Sequence, residues 1–245
     1  MRIATANQRQ LHGWLIPPPT TATTPGPALI VMHGWGSNAA RMLPLAPPLH
    51  NAGFATLFID ARCHGASDGD SFASLPRFAE DVEHAFDWLA QQPAIDPRRI
   101  GLIGHSVGAG AVILVASRRS DVAAAVSIAA FAHPAAMMRR WLAEMHVPEW
   151  PLGRYILRYV EKTIGHRFDD IAPINTIRQV SCPLLLVHGA DDEVAPVEEA
   201  RQIFAARRHE ATQLLVLEGN HESFADAEQH MERICDFLHS ALTLR

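Results

Sequence analysis

The fold is decided by the stretch Arg99-Ile100-Gly101-Leu102-Ile103-Gly104-His105-Ser106-Val107-Gly108, which is followed by Ala109-Gly110-Ala111-Val112. Its first half is an apolar run typical of a buried strand, and the small apolar residues after Gly108 are typical of a helix. The pattern therefore predicts a strand, a tight turn and a helix, with Ser106 at the turn. Glycines on either side of this serine leave room for a sharp bend. A serine on such a turn, beside a histidine base, can attack a carbonyl carbon.

A second stretch, Gly65-Ala66-Ser67-Asp68-Gly69, has the same G-x-S-x-G spacing. Ser67 lies in a polar segment, and no helical pattern follows it immediately. Because a nucleophile turn needs a strand before the serine and a helix after it, the sequence favours Ser106. Ser67 is interpreted as a loop or capping residue.

Short apolar runs alternate with helical patterns along most of the 245 residues. Six runs have the continuous apolar character of strands buried on both faces: 28–32, 55–59, 100–103, 123–130, 184–187 and 213–217. Apolar residues recur at steps of three and four in 75–92 and in 224–242, which predicts amphipathic helices. The alternation predicts one α/β domain with a mostly parallel sheet of about eight strands and helices on both faces. The first twenty or so residues are expected to form an extra hairpin at the sheet edge.

Residues 133–180 interrupt this alternation, because they contain helical patterns near 135–144 and 152–163 and no run typical of a strand. The sequence therefore predicts a helical cap inserted into a core made of residues 1–132 and 181–245. Apolar and aromatic side chains are frequent in the insertion: Met137, Met138, Trp141, Met145, Trp150, Tyr155 and Tyr159. Two interpretations stay open for them, packing of the insertion onto the core or lining of an apolar substrate pocket. His105 is expected to pack beside Ser106 or to line the same pocket.

A serine nucleophile needs a base, an acid that orients the base, and two N–H donors for an oxyanion. His221 lies in a glycine-containing turn after run 213–217, and the acids Asp191 and Asp192 both follow run 184–187. Since sites form at the carboxyl edge of parallel strands, these residues are expected to meet Ser106. The predicted oxyanion donors are the backbone N–H groups of Val107 and Trp35.

With these residues in place, the chain resembles enzymes of the α/β-hydrolase fold. The resemblance covers residues from about 10 to 245. Five motifs carry the resemblance: His33-Gly34-Trp35-Gly36, Asp60-Ala61-Arg62-Cys63-His64-Gly65-Ala66-Ser67, Gly104–Gly108, His188-Gly189-Ala190-Asp191-Asp192 and Gly219-Asn220-His221. The spacing of the fourth motif implies Asp192, rather than Asp191, as the acid. The sequence departs from the family pattern at Cys63, where relatives commonly have glycine, and at Ala195, where they often have valine.

The resemblance, to bacterial carboxylesterases and to serine aminopeptidase-like or lysophospholipase-like hydrolases, implies a Ser106, Asp192, His221 triad. The favoured hypothesis is an esterase that cleaves small or medium acyl esters without a cofactor or metal. Alternatives are a peptidase of the serine aminopeptidase or acylaminoacyl-peptidase kind, and a thioesterase or acyltransferase. A further alternative is a binding protein that has the hydrolase fold but no hydrolase activity. A protein that hydrolyses no activated ester would favour this alternative.

Net charge, cysteine count and hydropathy limit the kinds of partner and compartment to be expected. The formal net charge of −5 gives no electrostatic footprint for nucleic acid. The three cysteines are odd in number and lack metal-ligand spacing, which fits a reducing compartment. The sequence has no signal-peptide pattern at residues 1–10 and no apolar window of the roughly 20 residues that a membrane span needs. The expectation is a cytoplasmic monomer or homodimer that binds a small ester.

Overall fold

The structure, a computed structural model, describes residues 1–19, 25–222 and 228–243. Eight strands form one sheet in the order β1-β2-β4-β3-β5-β6-β7-β8. The strands are β1 Arg2–Thr5, β2 Arg9–Ile16, β3 Gly26–Met32, β4 Ala55–Ile59, β5 Ile95–His105, β6 Ala124–Ile128, β7 Leu184–Gly189 and β8 Thr212–Leu217. Strands β3 to β8 pair in parallel, whereas β1 and β2 pair antiparallel at one edge. The predicted parallel sheet and its N-terminal edge hairpin are confirmed.

Each of the six apolar runs lies within or overlaps a strand of this sheet. In the centre, Ile30 of β3 lies opposite Leu57 of β4 on one side and Leu102 of β5 on the other. All three side chains are fully buried. Strands with neighbours on both edges and helices on both faces have no polar side to expose, which is why their sequences are continuously apolar.

Ten helices surround the sheet in the described part of the chain. They are α1 Ala39–Met42, α2 Ala46–Asn51, α3 Leu75–Leu89, α4 Val107–Arg118, α5 Pro134–Glu144, α6 Arg154–Ile164, α7 Phe168–Ile171, α8 Pro173–Thr176, α9 Val197–Ala206 and α10 Glu228–Thr243. The predicted helix 75–92 is α3, which begins after Ser74, whose side chain accepts a hydrogen bond from the Arg77 N–H. The predicted helix 224–242 is α10, and its first residues, 224–227, lie outside the described residues.

Two apolar cores lie on opposite faces of the sheet, because successive strand residues point in opposite directions. Ile30 and Leu102 pack into the core beneath α3 and α4. Leu29 and Ile103, their chain neighbours, pack into the core beneath α2 and α10. With both faces covered, the loops at the carboxyl ends of the parallel strands are left to form a site.

Between β6 and β7, residues 129–183 contain helices α5 to α8 and no strand, as the sequence predicts. Side chains from several of these helices are buried in the core beneath α3 and α4, among them Met137, Leu157, Phe168 and Ile171. The role of residues 133–180 as a cap over the core stays a prediction. None of the helices in the described residues is long and apolar enough to cross a membrane.

Candidate active site

Ser106 occupies the turn between β5 and α4 in a strained backbone conformation. Its φ is 54° and its ψ is −115°, a region that residues with a Cβ rarely adopt. Two backbone hydrogen bonds hold it there: the Ser106 N–H donates to the Ile128 carbonyl at 2.9 Å, and its carbonyl accepts from the Gly110 N–H at 3.1 Å. Such strain persists only where the surrounding structure over-determines it, and it is concentrated at functional sites.

Two glycines allow the loop after β3 to press against this turn. A Cβ on Gly34 would lie 3.1 Å from the Cβ of Ser106, and a Cβ on Gly108 would lie 2.4 Å from the His33 carbonyl oxygen. A side chain at either position would therefore push the two loops apart. The glycines bring the backbone of the predicted oxyanion loop next to the serine.

Ser67, in the second G-x-S-x-G stretch, has a different environment. Its hydroxyl donates to the Asp60 carbonyl at 2.6 Å and accepts from the His12 N–H at 2.7 Å. No helix begins until Leu75. The hydroxyl of Ser67 is thus committed to joining a loop to strand β2, which agrees with its interpretation as a loop residue.

The loops after β7 and β8 bring Asp192 and His221 together. The Nδ1–H of His221 donates to Oδ2 of Asp192 at 2.7 Å. The Asp192 side chain is fully buried, whereas His221 remains partly accessible. Asp191 is exposed, and its backbone N–H donates to the Gly219 carbonyl at 3.0 Å. The structure therefore pairs His221 with the second of the two adjacent aspartates.

The Asp192 carboxylate is held in its charged form by a full set of donors. Burial opposes the charge, but hydrogen bonds from His188 and His221 hold the pKa of Asp192 well below its usual value. The backbone N–H groups of Val194 and Ala195 also donate to Oδ1, at 2.9 and 2.8 Å. A carboxylate with all its acceptor positions used fixes the orientation of the His221 ring.

His105, the residue before the serine, contacts the loop that carries His221. Its Nε2–H donates to the His221 carbonyl at 2.9 Å, and the two ring centroids are 4.9 Å apart. Burial lowers the pKa of His105 to about 4, so the ring is neutral near pH 7. His105 thus packs beneath the site and does not line the apolar cavity described below. Sequence analysis missed this contact, because a hydrogen bond to a distant backbone carbonyl leaves no sequence pattern.

The predicted oxyanion loop is supported by two histidines, His33 and His64. His33 donates from Nδ1 to the Gly34 carbonyl at 2.7 Å and accepts at Nε2 from the Ala61 N–H at 3.0 Å. Burial lowers its pKa to about 4, in keeping with a neutral ring that both donates and accepts. His64 accepts from the Gly36 N–H at 3.2 Å.

The backbone N–H groups predicted to hold an oxyanion belong to Trp35, in this loop, and to Val107, at the first position of α4. Neither donates a hydrogen bond to any residue that the structure describes. The Val107 N–H is free because the first N–H groups of a helix have no partner within it. Two unused N–H donors beside Ser106 agree with the oxyanion site predicted from the sequence.

Cys63, a departure from the family pattern, lies in the left-handed region with φ of 65°. Glycine adopts this conformation without strain, which explains why glycine is common there in relatives. The surrounding loop is held by the Asp60 carboxylate, which accepts from the Ala39 and Ala66 N–H groups at 2.7 and 2.8 Å. The loop keeps its shape through Asp60, and Cys63 is accommodated within it.

An apolar cavity of about 300 Å³ opens next to Val107 and Trp35. Its wall combines the two loops with the inserted helices: Trp35, Ala73, Ser74, Leu75, Val107, Phe131, Pro134, Met137, Met138, Trp141, Val160, Ile164, Phe168 and Ile171. Of the candidate pocket residues, Met137, Met138 and Trp141 therefore lie on it. Met145 and Trp150 do not line this cavity and are 64% and 71% exposed, and their place in a substrate pocket stays a prediction.

One group of possible metal ligands occurs among the described residues: His105, His221 and Glu222 place ligand atoms within 4.8 Å of one another. Two of these side chains are already engaged, His105 with the His221 carbonyl and His221 with Asp192. Both histidine side chains are therefore already used in hydrogen bonds around Ser106.

The sheet order, the nucleophile turn and the placement of Asp192 and His221 after β7 and β8 define the α/β-hydrolase fold. Residues 23–166 match the family model described as serine aminopeptidase, S33, and the chain belongs to this family. An esterase of Pyrococcus furiosus has a similar structure, with a TM-score of 0.76 at 24% identity, covering 99% of this chain and 92% of that one.

Two curated relatives are uncharacterized proteins. One, from Mycobacterium tuberculosis, is 30% identical over 211 residues, which are 83% of this chain and 65% of the relative. The other, YfhR of Escherichia coli, is 27% identical over 239 residues, which are 95% of this chain and 78% of the relative. The chain thus spans slightly less than two thirds of the mycobacterial protein.

Proposed function

We propose that the protein is a serine hydrolase that cleaves carboxylic esters of small to medium acyl chain length. The observation that carries this proposal is the strained turn of Ser106, whose chain neighbour His105 contacts His221, together with the paired side chains of His221 and Asp192. A strained serine, an oriented imidazole and a buried carboxylate, in this chain order, are the parts of an acyl-transfer site.

In the proposed mechanism, Oγ of Ser106 attacks the ester carbonyl carbon while Nε2 of His221 takes its proton. The N–H groups of Trp35 and Val107 stabilise the negative oxygen of the tetrahedral intermediate. His221 then gives the proton to the leaving alcohol, and an acyl-enzyme forms on Ser106. Water, activated by His221, releases the acid and restores the serine. Asp192 stays ionised and stabilises the imidazolium.

The apolar cavity supports an ester with an alkyl or aryl acyl group. An aminopeptidase must also hold a positively charged peptide amine, which a carboxylate usually does. Among the described residues that line the cavity, none is acidic or basic. The similarity to the Pyrococcus furiosus esterase also supports ester cleavage.

The peptidase alternative is supported by the family to which the chain belongs, whose description names aminopeptidases. It predicts faster hydrolysis of aminoacyl arylamides than of esters. A thioesterase or acyltransferase would share the acyl-enzyme and differ in the leaving group or acceptor. Products formed with an added alcohol or a coenzyme A thioester would identify either one.

The test is hydrolysis of p-nitrophenyl esters from acetate to palmitate by the protein and its Ser106→Ala variant. We expect turnover that falls by about 10³- to 10⁶-fold in the variant, because the triad acts as a unit. Ser67→Ala is the matched control, since Ser67 has the same motif spacing, and it should keep its activity. A Ser106→Ala variant within tenfold of the parent would contradict the assignment, and turnover of amides alone would favour the peptidase.

A further inference from the structure

The segment between β6 and β7 exposes aromatic and long apolar side chains instead of burying them. In the described part of the chain, six of the twelve exposed large hydrophobic side chains lie between residues 141 and 159: Trp141, Met145, Trp150, Leu152, Tyr155 and Tyr159. The chain has only two tyrosines, and both are here. A concentration of exposed apolar groups on one side of a protein marks an interaction surface.

Helix α6 arranges its exposed residues in two adjacent stripes. Arg154, Arg158 and Lys162 recur every fourth residue and form a basic stripe, since residues four apart share one helix face. Tyr155 and Tyr159 form the second stripe, and their rings stack with centroids 6.5 Å apart. The tyrosines are 67% and 59% exposed. We call these five residues the α6 face.

The charged side chains of the α6 face itself are all basic. The acid Asp169 lines the same groove as Arg154 and Arg158, and its carboxylate lies 2.9 Å from His133 and 3.8 Å from Arg167. The one acid within the helix, Glu161, is partly buried and accepts a hydrogen bond from the Phe168 N–H at 2.8 Å. The Arg154 guanidinium lies 5.3 Å from the ring centroid of Trp150, which is 71% exposed and extends the aromatic surface. Glu149, beside Trp150, is 3.7 Å from Arg139 and is thus paired.

The other side of the same helix is a wall of the apolar cavity. Val160 and Ile164 line the cavity, and Leu157 is buried between α6 and the core. Trp141 of α5 lines the cavity and is also 41% exposed to solvent. A molecule bound against this side of the protein therefore lies one helix away from the cavity that we assign to the acyl group.

The chemistry of the face points to one kind of partner. Its cations contrast with the formal net charge of −5 for the chain, so an anionic surface attracts this side and repels the rest. Tyrosine and tryptophan prefer the boundary between lipid and water, where one end of the ring is apolar and the other is wet. A second copy would present the same cations to this face, and like charges repel.

We propose that the α6 face docks the protein on anionic phospholipid bilayers. Arg154, Arg158 and Lys162 contact lipid phosphates, and the rings of Tyr155 and Tyr159 lie at the level of the headgroups. Docking in this orientation places helix α6 between the bilayer and the apolar cavity. The proposal concerns binding alone and holds whether or not Ser106 is a nucleophile.

The test is co-sedimentation of the Ser106→Ala protein with vesicles of phosphatidylcholine alone and with vesicles containing about one third phosphatidylglycerol. We expect binding to the anionic vesicles only, weakening as salt is added. The double variant Arg158→Glu/Lys162→Glu should bind at least about tenfold more weakly. Its matched control is Arg207→Glu/Arg208→Glu, which makes the same charge change at two exposed arginines between α9 and β8 and should bind like the parent.

A second variant, Tyr155→Ser/Tyr159→Ser, keeps the charge and should also reduce binding by removing apolar contact. Equal binding of the parent and both α6 variants would overturn the proposal, as would absence of binding to either vesicle. Concentration-dependent dimers that disappear in the tyrosine variant, without vesicle binding, would assign the face to a second copy of the chain.

Discussion

At the scale of single residues, substitution of each of the two adjacent aspartates, Asp191 and Asp192, tests which one orients the base in the proposed site. Asp192 is buried against His221, and Asp191 is exposed. We expect Asp192→Asn to lower kcat by about 10⁴-fold, because the amide favours the wrong histidine tautomer. Asp191→Asn, the matched control, should stay within a few-fold of the parent. Kinetics on one p-nitrophenyl ester measure both, and a larger loss in Asp191→Asn would mean that the wrong carboxylate is assigned.

His105 tests whether the loop of the base must be held in place. His105→Leu removes the donor to the His221 carbonyl, and a displaced base should lower kcat by about 10- to 100-fold. KM should change little, since His105 does not line the cavity. His105→Gln keeps an N–H donor and should recover part of kcat. If KM rises while kcat is unchanged, or if His105→Gln recovers nothing, His105 is not a positioning residue.

The sequence identifies residues whose chemistry is local to a motif. Ser106, Val107 and the glycines around them follow from one strand-turn-helix pattern. The local sequence does not decide whether Asp191 or Asp192 is the acid, because adjacent residues in a loop have no periodicity that separates them. The spacing of the family motif selects Asp192. The sequence also does not separate Met137 and Met138, which line the cavity, from Met145 and Trp150, which do not, because apolar character alone does not tell which way a side chain faces.

At the scale of elements, a buried ion pair joins the loop after β4 to helix α3. The Arg62 side chain is 1% exposed, and its Nε donates to Oδ1 of Asp81 at 2.7 Å. Asp81 also accepts from the Thr5 hydroxyl at 2.8 Å, which links strand β1 to the same pair. Arg62 contacts Glu80 and Asp70 as well. Three elements therefore depend on one buried guanidinium.

We expect Arg62→Met to lower the free energy of unfolding by about 3–5 kcal/mol, because it leaves the buried Asp81 carboxylate without its partner. Arg98→Met is the control, since the Arg98 side chain is 83% exposed, and it should change the free energy of unfolding far less than Arg62→Met does. Urea unfolding followed by circular dichroism measures both. The double variant Arg62→Met/Asp81→Asn should recover part of the loss, and a single variant as stable as the parent would show that the pair adds nothing.

The sheet was predictable from the sequence because buried parallel strands leave continuous apolar runs, and helices α3 and α10 because their apolar residues recur at helical spacing. The Arg62 pair was not, since its partners are 8 to 19 residues away and on different elements. Burial of a charge depends on the packed fold, which a local pattern does not contain.

At the scale of the whole molecule, two buried histidines make stability depend on pH. Burial lowers the pKa of His33 and of His105 from 6.5 to about 4 in the folded state. Between these values the unfolded chain binds protons that the folded protein excludes, so stability rises with pH. This contribution is complete above about pH 6.5 and is lost as the pH falls toward 4.

From pH 7 to pH 5, each histidine should therefore lower the free energy of unfolding by roughly 2 kcal/mol. Urea unfolding at the two pH values measures the difference. His33→Gln and His105→Gln cannot titrate, and each should remove the roughly 2 kcal/mol that its own ring contributes to the pH dependence. The carboxylate of Asp192 does not contribute in this range, because its pKa lies far lower. If both variants kept the pH dependence of the parent, the two rings would be protonated alike in the folded and unfolded chain, and the tautomers assigned to His33 and His105 would be wrong.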